Sequence, residues 1–249
     1  MVNRLQSLRN PTSIVLLMVT AVALFCAGLL GGELYWRYRA HSMLTAMVEC
    51  MVDDDASVSL ATTPPLLLQS MEGNYTEIAI ATAGKQVRAA RGMRVVVDIR
   101  DLRLQHNGPS GATIGSLTAT IDWTDDGMKR TAQQAIPVLG GFVTGVTTDP
   151  STGTIAVEGP LGTVEAKPAV ADGGVRLQIK NLTGLGLPLP SGGLQSALDT
   201  FFTKEMKKEL PTGLRIDQVQ VTDTGVAAHF SARNLSFPAS KHETCPPGR

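Results

Sequence analysis

Large apolar side chains are what this sequence offers a ligand most plainly. Leu66, Leu67 and Met71 follow a double proline, and Phe142, Leu185 and Leu187 stand among glycines and prolines. Leu198, Phe201 and Phe202 belong to the stripe of one amphipathic segment. The chemistry open to such a set is the withdrawal of hydrocarbon from water, worth roughly 0.8 kcal/mol per buried methylene. On the amphipathic segment an ordinary core explains Leu198 well. The loop leucines are harder to explain that way, because loops run over the surface. A contiguous exposed apolar patch marks an interaction site.

Reactive chemistry finds no footing. His41, His106, His229 and His242 are scattered, with no acid or cysteine at ligand spacing. Gly108-Pro109-Ser110-Gly111 lacks the spacing of a nucleophile elbow. Gly184-Leu185-Gly186 lacks the third glycine of a dinucleotide fingerprint. Asp53-Asp54-Asp55 has no glycine or closing glutamate at calcium-loop spacing, so it reads as a solvated break. No enzyme, cofactor or metal is expected. Lysine plus arginine and aspartate plus glutamate each number 22, which leaves no basic stripe for nucleic acid. Three Asn-x-Ser/Thr triplets, at Asn74, Asn181 and Asn234, carry little weight in a threonine-rich chain.

The elements that must position these side chains read as one apolar helix followed by a β-rich domain. No ionisable side chain occurs from Asn10 to Gly32. A membrane-crossing helix needs roughly 20 apolar residues, and this segment reaches that length. Tyr35 and Trp36 stand beyond it as interfacial anchors. Arginines flank both ends, so the short N-terminal tail decides the expected orientation, with the large C-terminal part exported. A cleaved signal peptide is the rival reading. The anchor is favoured, because the apolar run is long for such a peptide and Ala21-Val22-Ala23 lies inside it.

From Glu33 to Val52 the pattern is helical, with Leu44, Met47, Val48 and Met51 on one face. The double proline opens a short helix. Period-two patterning then marks strands at Tyr75–Ala81, Met93–Leu104 and Thr113–Trp123. The apolar phase reverses between Ile99 and Leu102, which predicts a β-bulge near Arg100–Asp101. A short helix is expected at Met128–Ala135, a hairpin at Thr154–Glu158 with Thr163–Ala166, and a loop over Asn181–Gly193. A helix over Leu194–Leu210 and a closing hairpin, Leu214–Val221 with Gly225–Ser231, complete the chain. Of three cysteines, Cys26 lies in the apolar span. Cys50 and Cys245 are expected to form a disulfide in an oxidising compartment, worth about 4–5 kcal/mol in the chain-entropy model. The alternative is two free thiols.

Val58 with Pro65-Leu66-Leu67, then Gln69, Gly73 and Tyr75, resembles the opening motif of the actinobacterial LmeA-like envelope proteins. Gly159-Pro160-Leu161-Gly162 and Leu210-Pro211-Thr212-Gly213-Leu214 with Gly225 are similar to that family too. The resemblance covers roughly Val48 to Pro238. It implies phospholipid binding on the outer side of the plasma membrane, and an elongated, curved β-barrel around a long helix like that of tubular lipid-binding domains. The family's founding member acts in elongating envelope mannan lipids, so support of lipoglycan synthesis is a further implication.

The expected organisation is a cytoplasmic tail (1–12), an anchor or signal peptide (13–36), a membrane-proximal helix (37–56), a lipid-binding-like domain (57–238) and a C-terminal tail (239–249). The fold class is α+β, mostly antiparallel β, with a lipid tunnel lined by Leu66, Leu67, Met71, Phe142, Leu185, Leu187, Leu198, Phe201 and Phe202. The expected partners are phospholipid and the plasma membrane. The alternative is a non-catalytic scaffold for envelope-synthesis proteins.

Overall fold

The computed structural model describes residues 11–105, 110–135, 141, 143–160, 162–171, 174–184, 187–188, 192, 195–196 and 213–238. One helix, α1 (Pro11–Val52), runs unbroken for 42 residues, about 63 Å at 1.5 Å per residue. Its apolar half from Val15 to Leu30 is bare of contacts with other described elements, with Leu24 69% and Phe25 67% exposed. Its outer half docks on the domain. β1 (Ala56–Leu60) returns antiparallel along that half: Ala56 N donates to Glu49 Oε1 near the helix end, and the Leu60 and Ala61 carbonyls accept from Arg37.

The remaining elements are α2 (Leu66–Glu72), β2 (Asn74–Thr82), β3 (Gln86–Val87), β4 (Ala90–Arg91), β5 (Met93–Leu104), β6 (Ser110–Thr124), α3 (Asp125–Ala135), β7 (Gly145–Asp149), β8 (Thr154–Gly159), β9 (Gly162–Ala171), β10 (Gly174–Gly184), β11 (Leu187–Pro188), β12 (Arg215–Thr222) and β13 (Gly225–Pro238). They build a six-stranded sheet in the order β1-β2-β5-β6-β13-β12, a five-stranded meander, β11-β10-β9-β8-β7, and a two-stranded ribbon, β3-β4. Every pairing is antiparallel. The fold is α+β, mostly antiparallel, behind one long apolar helix.

Among the described residues the two large sheets are separate ladders, and neither closes into a ring. Residues 197–210, most of the expected long helix, lie outside the described residues. α3 bridges the ladders. Thr124 Oγ1 caps its start by accepting from Gly127 N, and Asp125 takes a hydrogen bond from Thr148 of β7 at 3.0 Å. α3 begins three residues earlier than its apolar pattern suggests, because two acidic residues suit its first turn. Asn181–Gly184 is the end of β10 and not loop, and Gly184 pairs with Leu187. β13 continues to Pro238, well past Ser231.

The phase reversal in β5 has a different cause from the bulge the sequence predicts. Register between β5 and β6 runs unshifted through Arg100–Ser116 and Leu102–Ile114. Instead Asp101 takes a left-handed φ of 53°, and so does Asn234 in β13. Arg233 pairs with Ser116 and Leu235 with Ile114, so Asp101, Gly115 and Asn234 fall in one row across three strands. A Cβ on Gly115 would stand 2.8 Å from Asp101 Cβ, so the row needs glycine at its centre. All three strands therefore swap faces together. Ile99, Leu117 and Ala232 join Leu102, Ile114 and Leu235 in one core cluster, with Leu214 and Phe237 packed against it. Aspartate and asparagine tolerate the left-handed region better than other side chains.

The acidic triplet is likewise not a solvated break. Asp54 is buried, and its carboxylate accepts from Gly84 N at 2.9 Å and Lys85 N at 3.0 Å. Asp55 pairs with Lys85 and Asp53 with Gln86. The triplet thus fastens the end of α1 to the β2–β3 turn. At the other end of the sheet Gln69 is almost wholly buried. Its Nε2 donates to Pro64 O at 2.6 Å, and its Oε1 accepts from Thr76 N at 3.1 Å. One amide thereby joins the loop before α2 to the strand after it.

Two stability tests follow. Gln69→Ala leaves a part-buried carbonyl and a part-buried N–H unpaired and is expected to cost about 1–2 kcal/mol, read as a lower urea midpoint of the purified chain. Asp101→Val forces a β-branched residue into left-handed φ at about 1–3 kcal/mol, whereas Asp101→Gly should be close to neutral. Equal losses in the two Asp101 variants would refute the backbone explanation.

Candidate functional site

Seven residues make a helix too short to hold itself in water. α2 is held from outside, at both ends and along one face. Pro65 at its N-cap has no side chain to offer its free N–H groups, and α1 supplies one instead. Glu33 Oε1 accepts from Leu66 N at 2.7 Å and Oε2 from Leu67 N at 3.0 Å. The carboxylate thus satisfies two orphan donors and faces the positive end of the helix. Arg37, one turn on, holds Glu33 at 3.0 Å and reaches the Leu60 and Ala61 carbonyls at 3.4 Å. At the far end Gly73 adopts left-handed φ and caps the helix through its N–H to Gln69 O.

This clamp lies where the apolar run of α1 ends. A Cβ on Gly32 would sit 3.7 Å from Leu67 Cδ1, so Leu67 rests against the last turn of the run. Leu66 turns inward and is 2% exposed. Leu68 and Met71, three apart and so on one face, turn outward at 49% and 83%. Of the expected lining residues, α2 brings together Leu66, Leu67 and Met71, but on different faces. Leu187 belongs to β11, away from α2 in the other ladder. Phe142, Leu185, Leu198, Phe201 and Phe202 lie outside the described residues.

An open cleft of about 560 Å³ borders the clamp, lined among others by Ser59, Thr62, Thr63, Thr76 and Arg100. Hydroxyls and one guanidinium suit hydrogen bonding to an oxygen-rich group. Arg100 is already engaged by Glu77 at 3.4 Å. A second cleft of about 410 Å³, between Pro150, Lys167 and Gln220, separates the ladders and is also polar. Among the described residues no group of histidine, cysteine and carboxylate side chains could hold a metal ion. Cys26 is free and exposed on α1, and Cys50 is disulfide-bonded. Cys245 lies outside the described residues.

Glu33 and Arg37 escaped sequence reasoning. The one available signal was that Glu33 is the first ionisable residue after a long run without any. Gln69 was visible only as part of a motif, with no physical role attached.

The model of the LmeA-like phospholipid-binding family matches residues 27–231. The uncharacterized protein Rv0479c of Mycobacterium tuberculosis is 42% identical over 238 residues, which span 95% of this chain and 68% of the relative. The uncharacterized protein Mb0489c of Mycobacterium bovis matches to the same extent. No solved structure matches the chain. The matched segment begins inside the apolar helix and takes in the Glu33 clamp, the five-stranded ladder and the six-stranded one as far as the middle of β13, so this chain belongs to the LmeA-like phospholipid-binding family.

Proposed function

We infer that the protein is a membrane-tethered phospholipid-binding module of the cell envelope, exposed on the extracytoplasmic face and without catalytic activity. The observation that carries the tether is the Glu33 clamp. A helix whose apolar half is bare and whose next turn caps α2 is part of the domain's own construction. Cleavage after that turn would strip α2 of its cap. Retention of the segment as a single-pass anchor follows from this reading, and so does exchange of lipid with the adjoining leaflet rather than free carriage.

The family membership supports phospholipid as the ligand. The proposed container is the pair of curved sheets closing as an elongated barrel over the 194–210 segment. Leu66, Leu67 and Met71 stand at its membrane end, with Phe142, Leu185, Leu187, Leu198, Phe201 and Phe202 along the acyl path. Cys245 is the proposed partner of Cys50, tying the C-terminal tail to the outer end of α1. Support of envelope lipoglycan synthesis is the pathway this reading favours.

Two measurements test it. Native mass spectrometry of the detergent-purified full chain should find co-purified phospholipid, and replacing Phe201 and Phe202 together by aspartate should abolish it. A folded, lipid-free chain that takes up no fluorescent phospholipid would return the reading to the scaffold alternative. In cells the chain should stay in the membrane fraction through alkaline carbonate with an N-terminal tag still attached. Glu33→Ala should leave that anchoring intact and cost about 1–2 kcal/mol of domain stability, seen as faster proteolysis within residues 61–73.

A further inference from the structure

Exposed apolar side chains are not spread evenly over the domain. Outside α1, four large ones stand exposed among the described residues: Leu68, Met71, Leu104 and Val170. Three of the four gather at one end of the six-stranded sheet. Leu68 and Met71 share the outer face of α2, and Leu104 N donates to Gly73 O at 2.8 Å, which places Leu104 beside the C-terminus of that helix. Register identifies the end. Asn74 pairs with Arg103 and Leu104 with Ala112 there, while Met93, Trp123 and Val226 pair at the opposite end, beside the β12–β13 turn.

The same end is fastened to the outer limit of the apolar run in α1. Leu67 lies against Gly32, and Glu33 holds the first two N–H groups of α2. Tyr35 and Trp36, exposed at 62% and 53%, stand within one turn of that contact. Aromatic rings of this kind settle at the boundary between hydrocarbon and headgroups. A helix that crosses a bilayer to this point carries α2 to the same depth. Apolar side chains lying flat at that depth bury their outer face among headgroups and upper acyl chains.

We propose that α2, with Leu68 and Met71, and the adjoining Leu104 form a foot seated in the outer leaflet of the bilayer that α1 crosses. The proposal rests on the tether reading and goes beyond it. A span alone leaves the domain free to tilt clear of the leaflet, whereas a seated foot sets one end of the six-stranded sheet against the lipid and holds the β12–β13 turn away from it. The partner is the leaflet itself, chosen over a protein because α2 is fastened where the apolar run of α1 ends.

The test uses the full chain in phosphatidylcholine–phosphatidylglycerol vesicles, with an environment-sensitive fluorophore on single cysteines. In a Cys26→Ser background the label is placed at Met71→Cys or, as the distal control, at Asp223→Cys; native Cys26 serves as the reporter of the span. The Met71 label should be quenched by lipids carrying a shallow nitroxide and shielded from aqueous iodide. The Asp223 label should show the reverse. If the Met71 label behaves like the Asp223 label while the Cys26 label is quenched by deep nitroxide lipids, the foot is refuted and the span stands. A Cys26 label untouched by lipid nitroxides overturns the span and the foot together. As a check with the label away from position 71, Leu68→Asp with Met71→Asp should leave the thermal transition unchanged and release a Leu104→Cys label from lipid quenching. Retained quenching there would also overturn the proposal.

Discussion

A single carboxylate joins the two halves of this protein. Glu33 sits one residue beyond the apolar run of α1, and its two oxygens receive the first two N–H groups of α2. Buried or half-buried backbone donors need partners, and a proline-led helix of seven residues cannot supply its own. Arg37 compensates the charge and takes up the carbonyls at the end of β1. A charge-assisted arrangement of this kind, partly shielded from solvent, exceeds a surface ion pair in strength. The apolar helix is thereby welded to the sheet and does not trail from it.

The clamp gains its leverage from the sheet behind it. β1 runs back along α1, and the Asp54 carboxylate closes the far end by holding the β2–β3 turn. α1 is thus held at both ends of its outer half, about 30 Å apart at 1.5 Å per residue. Within the sheet, the Asp101–Gly115–Asn234 row turns three strands over together. The apolar cluster around Ile114 and Leu235 then forms on one face without a shift of register, pairing lapsing only in the row itself. A bulge would have shifted the register, while a row of residues tolerant of left-handed φ keeps it.

No reactive constellation accompanies this framework among the described residues, and binding of hydrocarbon demands none. The cleft beside the clamp offers hydroxyls and an arginine already paired with Glu77, and the one between the ladders a lysine bonded to the Thr152 carbonyl, a chemistry of hydrogen bonding rather than bond making. Family membership directs attention to phospholipid, and the placement of α2 at the end of the apolar run directs it to the membrane side of the domain.

Several elements were legible in the residues alone. The bare apolar run, the alternation that marks Met93–Leu104 and the proline-led start of α2 follow from local rules of solvation and backbone sterics, and they emerge where those rules put them. The motif glycine Gly225 also has a local reason. With φ at 155° and the Trp123 carbonyl 2.0 Å from where its Cβ would be, only glycine fits. Contacts distant in sequence had no such signature. Glu33 reaches α2 across 33 residues, Asp54 reaches Gly84 across 30, and Asp101 meets Gly115 only once β5 and β6 pair. An acidic residue reads as solvated until the fold brings unpaired N–H groups to it. The sequence by itself therefore determined the apolar helix, the β-rich class and the family motifs. Tertiary structure decided which carboxylates are buried, which leucines of α2 turn outward and how the strands exchange faces, because each depends on a partner that only folding supplies.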